Sequence, residues 1–175
     1  MVLFRKKISP ETLGTVIFSH IGSYSKLFVD EESFYEELDI KKDNRNHIFI
    51  EIFIIYIFAA LQVIESNIRE EYIWSRIENS IFGHLSAMIT QTYNLNDDEL
   101  KEFKDYANQR ISEYVDTYNE SLSHNIPLMK LGRIMISNIA EEDVVDAIKS
   151  TMLISLYTNF MKSLADLIKQ YKIIL

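Results

Sequence analysis

Residues 47–64 read HIFIEIFIIYIFAALQVI, which is the most apolar stretch of the 175-residue sequence. Isoleucine and phenylalanine favour a strand, but this stretch runs without a glycine, a proline or a turn signal for longer than a usual strand. No second stretch of similar apolarity exists to pair with it in a sheet. We therefore predict a helix that is hydrophobic on nearly all sides and forms the centre of a helical bundle.

A membrane-spanning helix is the alternative interpretation of the same stretch. A span needs about 20 consecutive apolar residues. Here Glu51 and Gln62 interrupt a shorter run, and charged residues follow it at Glu65 and Arg69. We therefore expect a buried core helix and no membrane partner.

The flanking sequence carries helix signals on both sides of this central stretch. Ser9-Pro10-Glu11 combines an N-cap residue, a proline at the first helical position and an acidic first turn. Asn96 followed by Glu99 has the spacing of a capping box. Besides the central helix, we predict helices over residues 10–28, with a break near Gly22, and over 30–38, 70–93, 96–123, 128–139 and 141–171. The predicted fold is an all-α bundle of six or seven helices in a single domain over residues 1–175.

The composition narrows the possible partners and the expected compartment. Eighteen Lys and Arg residues against 26 Asp and Glu residues give a net charge of −8. This acidic balance argues against nucleic acid as a partner, since phosphate binding needs clustered cations. The sequence has no cysteine, which excludes disulfides and thiolate chemistry, and its start lacks the pattern of a signal peptide. We expect a cytoplasmic protein.

The usual patterns of catalytic and metal sites do not occur in the sequence. There is no Gly-x-Ser-x-Gly elbow, no glycine-rich phosphate loop and no Glu-x-x-His pair of the kind used by di-metal bundles. His47 and Glu51 stand four residues apart, as do Glu120 and His124, which supplies at most two ligands on each helix. We predict no metal, no cofactor and no catalytic residue.

A small group of polar residues stands out as possible anchors for a ligand or a partner. Glu51 interrupts the apolar helix, and a buried carboxylate must be paired or protonated; Arg110 and Arg133 are candidate partners. Tyr106, Arg110 and Tyr114 are each four residues apart, which places a guanidinium between two aromatic rings on one helix face. That ladder would suit an anionic ligand or a partner's carboxylate, or be a surface cation–π feature.

The C-terminal helix is apolar over an arc of about 200°, roughly twice the stripe that a surface helix buries. One set of residues lies within about 60° of Val145 and is the predicted core stripe: Ile148, Met152, Leu156, Phe160 and Leu167. A second set lies at roughly 80° to 180° and is the predicted self-association surface: Leu153, Ile154, Tyr157, Met161, Leu164 and Ile168. The alternative is that both sets are core.

Together these patterns predict a non-catalytic interaction or regulatory protein that forms a homodimer through its C-terminal helix or binds another protein. The alternative is a small-ligand sensor with an internal pocket in the bundle, whose polar anchors are Glu51, Arg110 or Arg133. The two differ in where the excess apolar surface lies: an interaction protein exposes it as a patch, and a ligand binder encloses it as a cavity.

Overall fold

The computed structural model describes residues 5–41, 44–123, 128–143 and 146–175. Seven helices and two short strands occur in these ranges. In chain order they are β1 (Lys6–Ile8), α1 (Pro10–Asp30), α2 (Glu32–Leu38), α3 (Arg45–Asn67), α4 (Glu71–Tyr93), α5 (Asp97–Ser123), α6 (Met129–Ala140), α7 (Ala147–Ile168) and β2 (Tyr171–Ile173).

Helix α3, which contains the apolar stretch, lies at the centre of the bundle. It packs against α1, α4, α5, α6 and α7, and more than half of its residues are buried. The predicted all-α bundle around a central apolar helix is thus confirmed. By length and composition, α3 is the one helix among the described residues that could cross a membrane, and 72% of its apolar window is buried inside the bundle.

Helix α1 begins as its sequence predicts. The Ser9 hydroxyl caps it by accepting a hydrogen bond from the Thr12 backbone N–H at 3.2 Å, and Pro10 takes the first helical position. The predicted break near Gly22 is wrong, because α1 continues unbroken to Asp30. Burial of its apolar face offsets the helix-breaking tendency of one glycine, which costs about 1 kcal/mol relative to alanine.

Helix α7 begins later than predicted. The acidic run Glu141-Glu142 does not start it; instead Glu141 adopts a left-handed conformation with φ 56° and ends α6. The N-cap of α7 is Asp146, whose Oδ1 accepts hydrogen bonds from the backbone N–H groups of Ile148 and Lys149. The helix ends at Ile168, before the predicted end at Tyr171.

Helices α6 and α7 approach each other closely at Gly132. A Cβ atom at this position would lie 2.3 Å from the carbonyl oxygen of Ser150 on α7. Only glycine allows the two backbones to meet at this distance. The contact places α6 firmly between α7 and α3.

The two strands were not predicted. β1 and β2 pair in parallel, with Lys6 opposite Tyr171 and Ile8 opposite Ile173. At three residues each they are too short to produce a sequence signal. They join the N-terminal and C-terminal parts of the chain at one end of the bundle.

The structure corrects the predicted self-association surface on α7. Four of its six residues are buried within the chain itself: Leu153, Tyr157, Leu164 and Ile168. The other two, Ile154 and Met161, are half-buried. The reason is that α7 packs against α6, α3 and α1 together, so this side of the helix faces the bundle.

The predicted core stripe of α7 is corrected as well. Phe160 is buried, but Ile148 is 74% exposed, and Met152, Leu156 and Leu167 are half-buried. Val145 lies outside the described residues. The helical wheel therefore predicts the apolar arc correctly, but, apart from Phe160, the buried apolar residues of α7 lie in the set assigned to the surface and not in the set assigned to the core.

Candidate functional site

Glu51 lies in the middle of the central helix and is fully buried. It is the only charged residue among the buried side chains that the structure describes. A carboxylate removed from water must be compensated by hydrogen bonds or by an opposite charge. The surroundings of Glu51 therefore form the candidate functional site.

Helix α5 supplies three donors to this carboxylate. The Tyr106 hydroxyl and the Arg110 Nε–H donate to Glu51 Oε1, the latter at 3.3 Å, and the Tyr114 hydroxyl donates to Oε2 at 3.3 Å. Their four-residue spacing brings all three side chains to one face of α5. The Arg110 guanidinium carbon also lies 5.1 Å from the centroid of the Tyr106 ring, a cation–π distance.

Helix α6 adds further hydrogen bonds to this network through Asn138. The Asn138 side-chain N–H₂ group donates to the Tyr114 hydroxyl and to Glu113 Oε2, both at 3.1 Å. Glu113 also accepts from Arg110 Nη1 at 3.4 Å. His47, one turn before Glu51 on α3, lies with Nε2 at 2.9 Å from the Asn138 carbonyl oxygen, which can only accept.

Sequence reasoning did not single out Asn138 and Glu113. A signal for Asn138 exists, because it lies on the apolar stripe that Leu131 and Met135 define on α6, where a polar side chain must find a partner. Glu113 follows Arg110 by three residues, a spacing at which a carboxylate and a guanidinium meet on one helix face. We name the six residues of this network the Glu51 cluster: Glu51, Tyr106, Arg110, Glu113, Tyr114 and Asn138.

The surroundings of the Glu51 cluster raise the pKa of three of its groups. Burial, and next the hydrogen bond to Glu51, raise the pKa of Tyr106 to about 12. Burial raises the pKa of Tyr114 well above its ordinary value. Burial opposes the charge of Arg110, but its hydrogen bond with Tyr106 and the charge of Glu51 outweigh burial and raise the pKa of Arg110. Both phenols are therefore neutral donors, and the guanidinium stays charged, throughout the physiological pH range.

The cluster opens on one side into a cleft of about 670 Å³ between α3, α5 and the end of α6. We name it the Glu51 cleft. Its walls are His47, Tyr106, Arg110, Ser137, Asn138, Glu141, Glu142 and Asp143. The side chain of Arg110 is 25% exposed, whereas that of Glu51 is not exposed at all. A molecule in the cleft would thus touch Tyr106 and Arg110, while Glu51 holds them from beneath.

Arg133, the other predicted partner of Glu51, does not belong to the cluster. Its Nη2 atom donates to both carboxylate oxygens of Asp143, at 2.8 and 3.1 Å, and both side chains are exposed. Because Asp143 lines the Glu51 cleft, Arg133 lies at the rim of the site and not at its floor.

The described residues include no group of three or more His, Asp or Glu side chains that could hold a metal ion. His47 and Glu51 share a helix face, but each is engaged by a different neighbouring helix. Glu120 accepts a hydrogen bond from Lys130 at 2.5 Å, and His124 lies outside the described residues.

Comparisons with models of protein families, with curated proteins and with solved structures give no match for this chain.

Proposed function

We propose that this chain is a non-catalytic binding protein that takes a small polar ligand in the Glu51 cleft. The observation that carries the proposal is a fully buried carboxylate on the central helix, held by three donors that line an open cleft. Replacing a buried ion pair by apolar residues is often neutral or stabilising. Stability alone is therefore a weak reason for this chain to bury Glu51, and positioning Tyr106 and Arg110 at a binding surface is a better one.

The chemistry of the cleft walls indicates the kind of ligand. Arg110 donates hydrogen bonds, whereas the carboxylates of Glu141 and Glu142 accept them. A matching ligand carries both acceptors and donors. The cleft is broad and open, so such a ligand would be held by polar contacts and not by enclosure.

The arrangement does not favour catalysis. Nε2 of His47 faces the backbone carbonyl of Asn138, so it is not available as a base for a nucleophile. Glu51 is covered by three donors and is not exposed, so it cannot reach a substrate. These contacts support a site that binds a ligand without transforming it.

Native mass spectrometry of the chain purified from cells tests this proposal. We expect a small molecule of defined mass on the parent protein, and its loss in the cleft variants His47→Ala and Glu142→Lys. Arg76→Ala is the matched control, because Arg76 pairs with Glu11 on the surface, between α4 and α1. This control should keep the bound molecule.

A second test applies if the ligand is lost during purification. The protein is titrated with a library of polar fragments, and binding is followed by the amide NMR signals of the cleft residues. The proposal is wrong if the parent protein carries no small molecule and no fragment shifts the signals around Tyr106 and Arg110.

A second candidate function is self-association, and one exposed residue favours it. Ile148 on α7 is 74% exposed, and Met152 and Leu156 follow it at four-residue spacing with half-buried side chains. The other large apolar residues exposed in the described ranges are spread over other parts of the chain: Leu27, Tyr72, Leu122, Met129, Ile174 and Leu175. Sedimentation equilibrium at high protein concentration should show a dimer that Ile148→Glu dissociates. A monomeric parent protein contradicts this second function.

A further inference from the structure

The first half of helix α5 has few fully buried side chains. Although the whole helix has 27 residues, its buried residues with described side chains are Ala107, Tyr114, Thr117 and Ser121. Residues 97–106 contribute none. In this first half of α5, the half-buried Phe103 and the small Ala107 provide most of the contact with the core besides Tyr106 and Arg110.

Open clefts border this half of α5 on two sides. One is the Glu51 cleft, which Tyr106 and Arg110 line. The other, of about 540 Å³, lies between α5 and α4 and is lined by Lys104, Ala107 and Asn108 on one side and by α4 on the other. Its α4 wall includes Gly83, where an added Cβ would meet no atom within 4 Å.

The first turn of α5 is nevertheless firmly formed. Asn96 Oδ1 accepts from the N–H groups of Asp98 and Glu99, and Glu99 Oε2 accepts from the Asn96 N–H at 2.8 Å. This reciprocal capping box satisfies the free donors at the helix start. If this half of α5 leaves the bundle, it moves as an intact helix.

We infer that residues 97–110 of α5 form a hinged strut that opens away from α3 and α4 as a unit. The contacts of Tyr106 and Arg110 with Glu51 are its latch, and Tyr114, which is fully buried, anchors the second half. Opening would join the clefts on the two sides of the strut and uncover Glu51. In the proposed function this motion would admit the ligand, but the inference concerns the ligand-free chain and does not require that function.

Native-state hydrogen exchange of the ligand-free protein tests the hinged strut. Amides of residues 101–110 should exchange at least about tenfold faster than those of residues 114–121 and of α3, because opening of the strut needs less free energy than global unfolding. Glu51→Gln removes the charge that holds Arg110 and should raise the exchange of residues 101–110 about tenfold further, because the opened strut has lost this contact.

Tyr106→Phe is a milder second variant, which removes one hydroxyl from the latch and keeps the ring, so it serves if Glu51→Gln does not fold. It should raise the exchange of the same amides by a smaller factor than Glu51→Gln. Arg76→Ala, which breaks the exposed Arg76–Glu11 pair, is the control and should leave residues 101–110 unchanged.

The inference is overturned if residues 101–110 of the parent protein exchange as slowly as α3. It is equally overturned if the latch variants accelerate α3 but leave the exchange of residues 101–110 unchanged, because opening of this segment then does not break the contacts with Glu51.

Discussion

Helices α3 and α5 are in contact, yet they are attached to the bundle by different means. In α3, thirteen of 23 residues are buried, and all but Glu51 are apolar or aromatic. In α5, which is longer, the few buried residues include two hydroxyl side chains, Thr117 and Ser121. Helix α3 is thus held by a large, non-directional burial of apolar surface, whereas α5 combines half-buried apolar side chains with the directional contacts of the Glu51 cluster. Directional contacts can be broken one at a time, which makes α5 the better candidate for a moving element.

The largest expected effect is at Phe58, where the two helices share an aromatic contact. Its ring centroid lies 5.7 Å from that of Tyr114 on α5 and 5.6 Å from that of Tyr157 on α7. Phe58→Ala should lower the free energy of unfolding by about 3–5 kcal/mol, measured by urea denaturation, because it leaves a cavity. Leu122→Ala on α5, where the side chain is 60% exposed, is the control and should change it by less than about 0.5 kcal/mol. Equal effects of the two substitutions would contradict the contrast in burial.

Substitutions at two glycines compare the close contact between α6 and α7 with the open space between α4 and α5. Gly132→Ala should destabilise the protein by about 1–3 kcal/mol, because the new methyl group would overlap the Ser150 carbonyl oxygen. Gly83→Ala faces open space between α4 and α5 and should stabilise it by about 0.5–1 kcal/mol through higher helix propensity. Thermal denaturation of both variants measures the difference. Destabilisation by Gly83→Ala would show that α5 packs against α4 more closely than described.

The Glu51 cluster tests the directional attachment of α5. Glu51→Gln should lower the free energy of unfolding by about 1–3 kcal/mol, because the partly buried guanidinium of Arg110 loses its counter-charge. Arg133→Ala removes an exposed ion pair with Asp143 and should cost less than about 1 kcal/mol. Both are read from urea denaturation. If Glu51→Gln is as stable as the parent protein, the cluster does not hold α5.

The smallest expected change in stability comes from removing either of two buried tyrosine hydroxyls. The hydroxyl of Tyr157 finds no hydrogen-bond partner among the described residues, so Tyr157→Phe should leave the protein as stable or raise its stability by up to about 1 kcal/mol. The hydroxyl of Tyr114 bonds Glu51 and Asn138, so Tyr114→Phe should lower stability by about 1 kcal/mol. Loss of stability in both variants would mean that Tyr157 has a partner not yet seen.

The sequence predicts the helices well because their signals are local. The length of the apolar stretch, the cap at Ser9 and the capping box at Asn96 each depend on neighbouring residues only, and each marks a real helix. The faces of α7 were assigned wrongly for the complementary reason. A wheel gives the angular spread of apolar residues on one helix, but which side is covered depends on where α6, α3 and α1 lie.

The Glu51 cluster, too, is predicted only in part from local spacing. The four-residue spacing of Tyr106, Arg110 and Tyr114 places them on one face, and a buried acid favours a basic partner, of which Arg110 is one of the two predicted candidates. Choosing Arg110 over Arg133 needs the docking of α5 on α3, which spacing within a helix does not determine. Asn138, from a segment far along the chain, was missed for this reason.

The small sheet at the ends of the described chain has a mechanical consequence. Because β1 and β2 are parallel, the chain enters β1 and leaves β2 at opposite ends of the pair. Tension applied between residues 5 and 175 therefore acts along the strands and strains their cross-strand hydrogen bonds together, in shear, and not one after another. The bonds from Lys6 N to the Gln170 oxygen and from Ile174 N to the Ile8 oxygen, at 3.1 and 2.9 Å, flank the pair and share the force. The helices from Pro10 to Ile168 lie between the two strands in the chain, so such tension loads the sheet before it loads the helices.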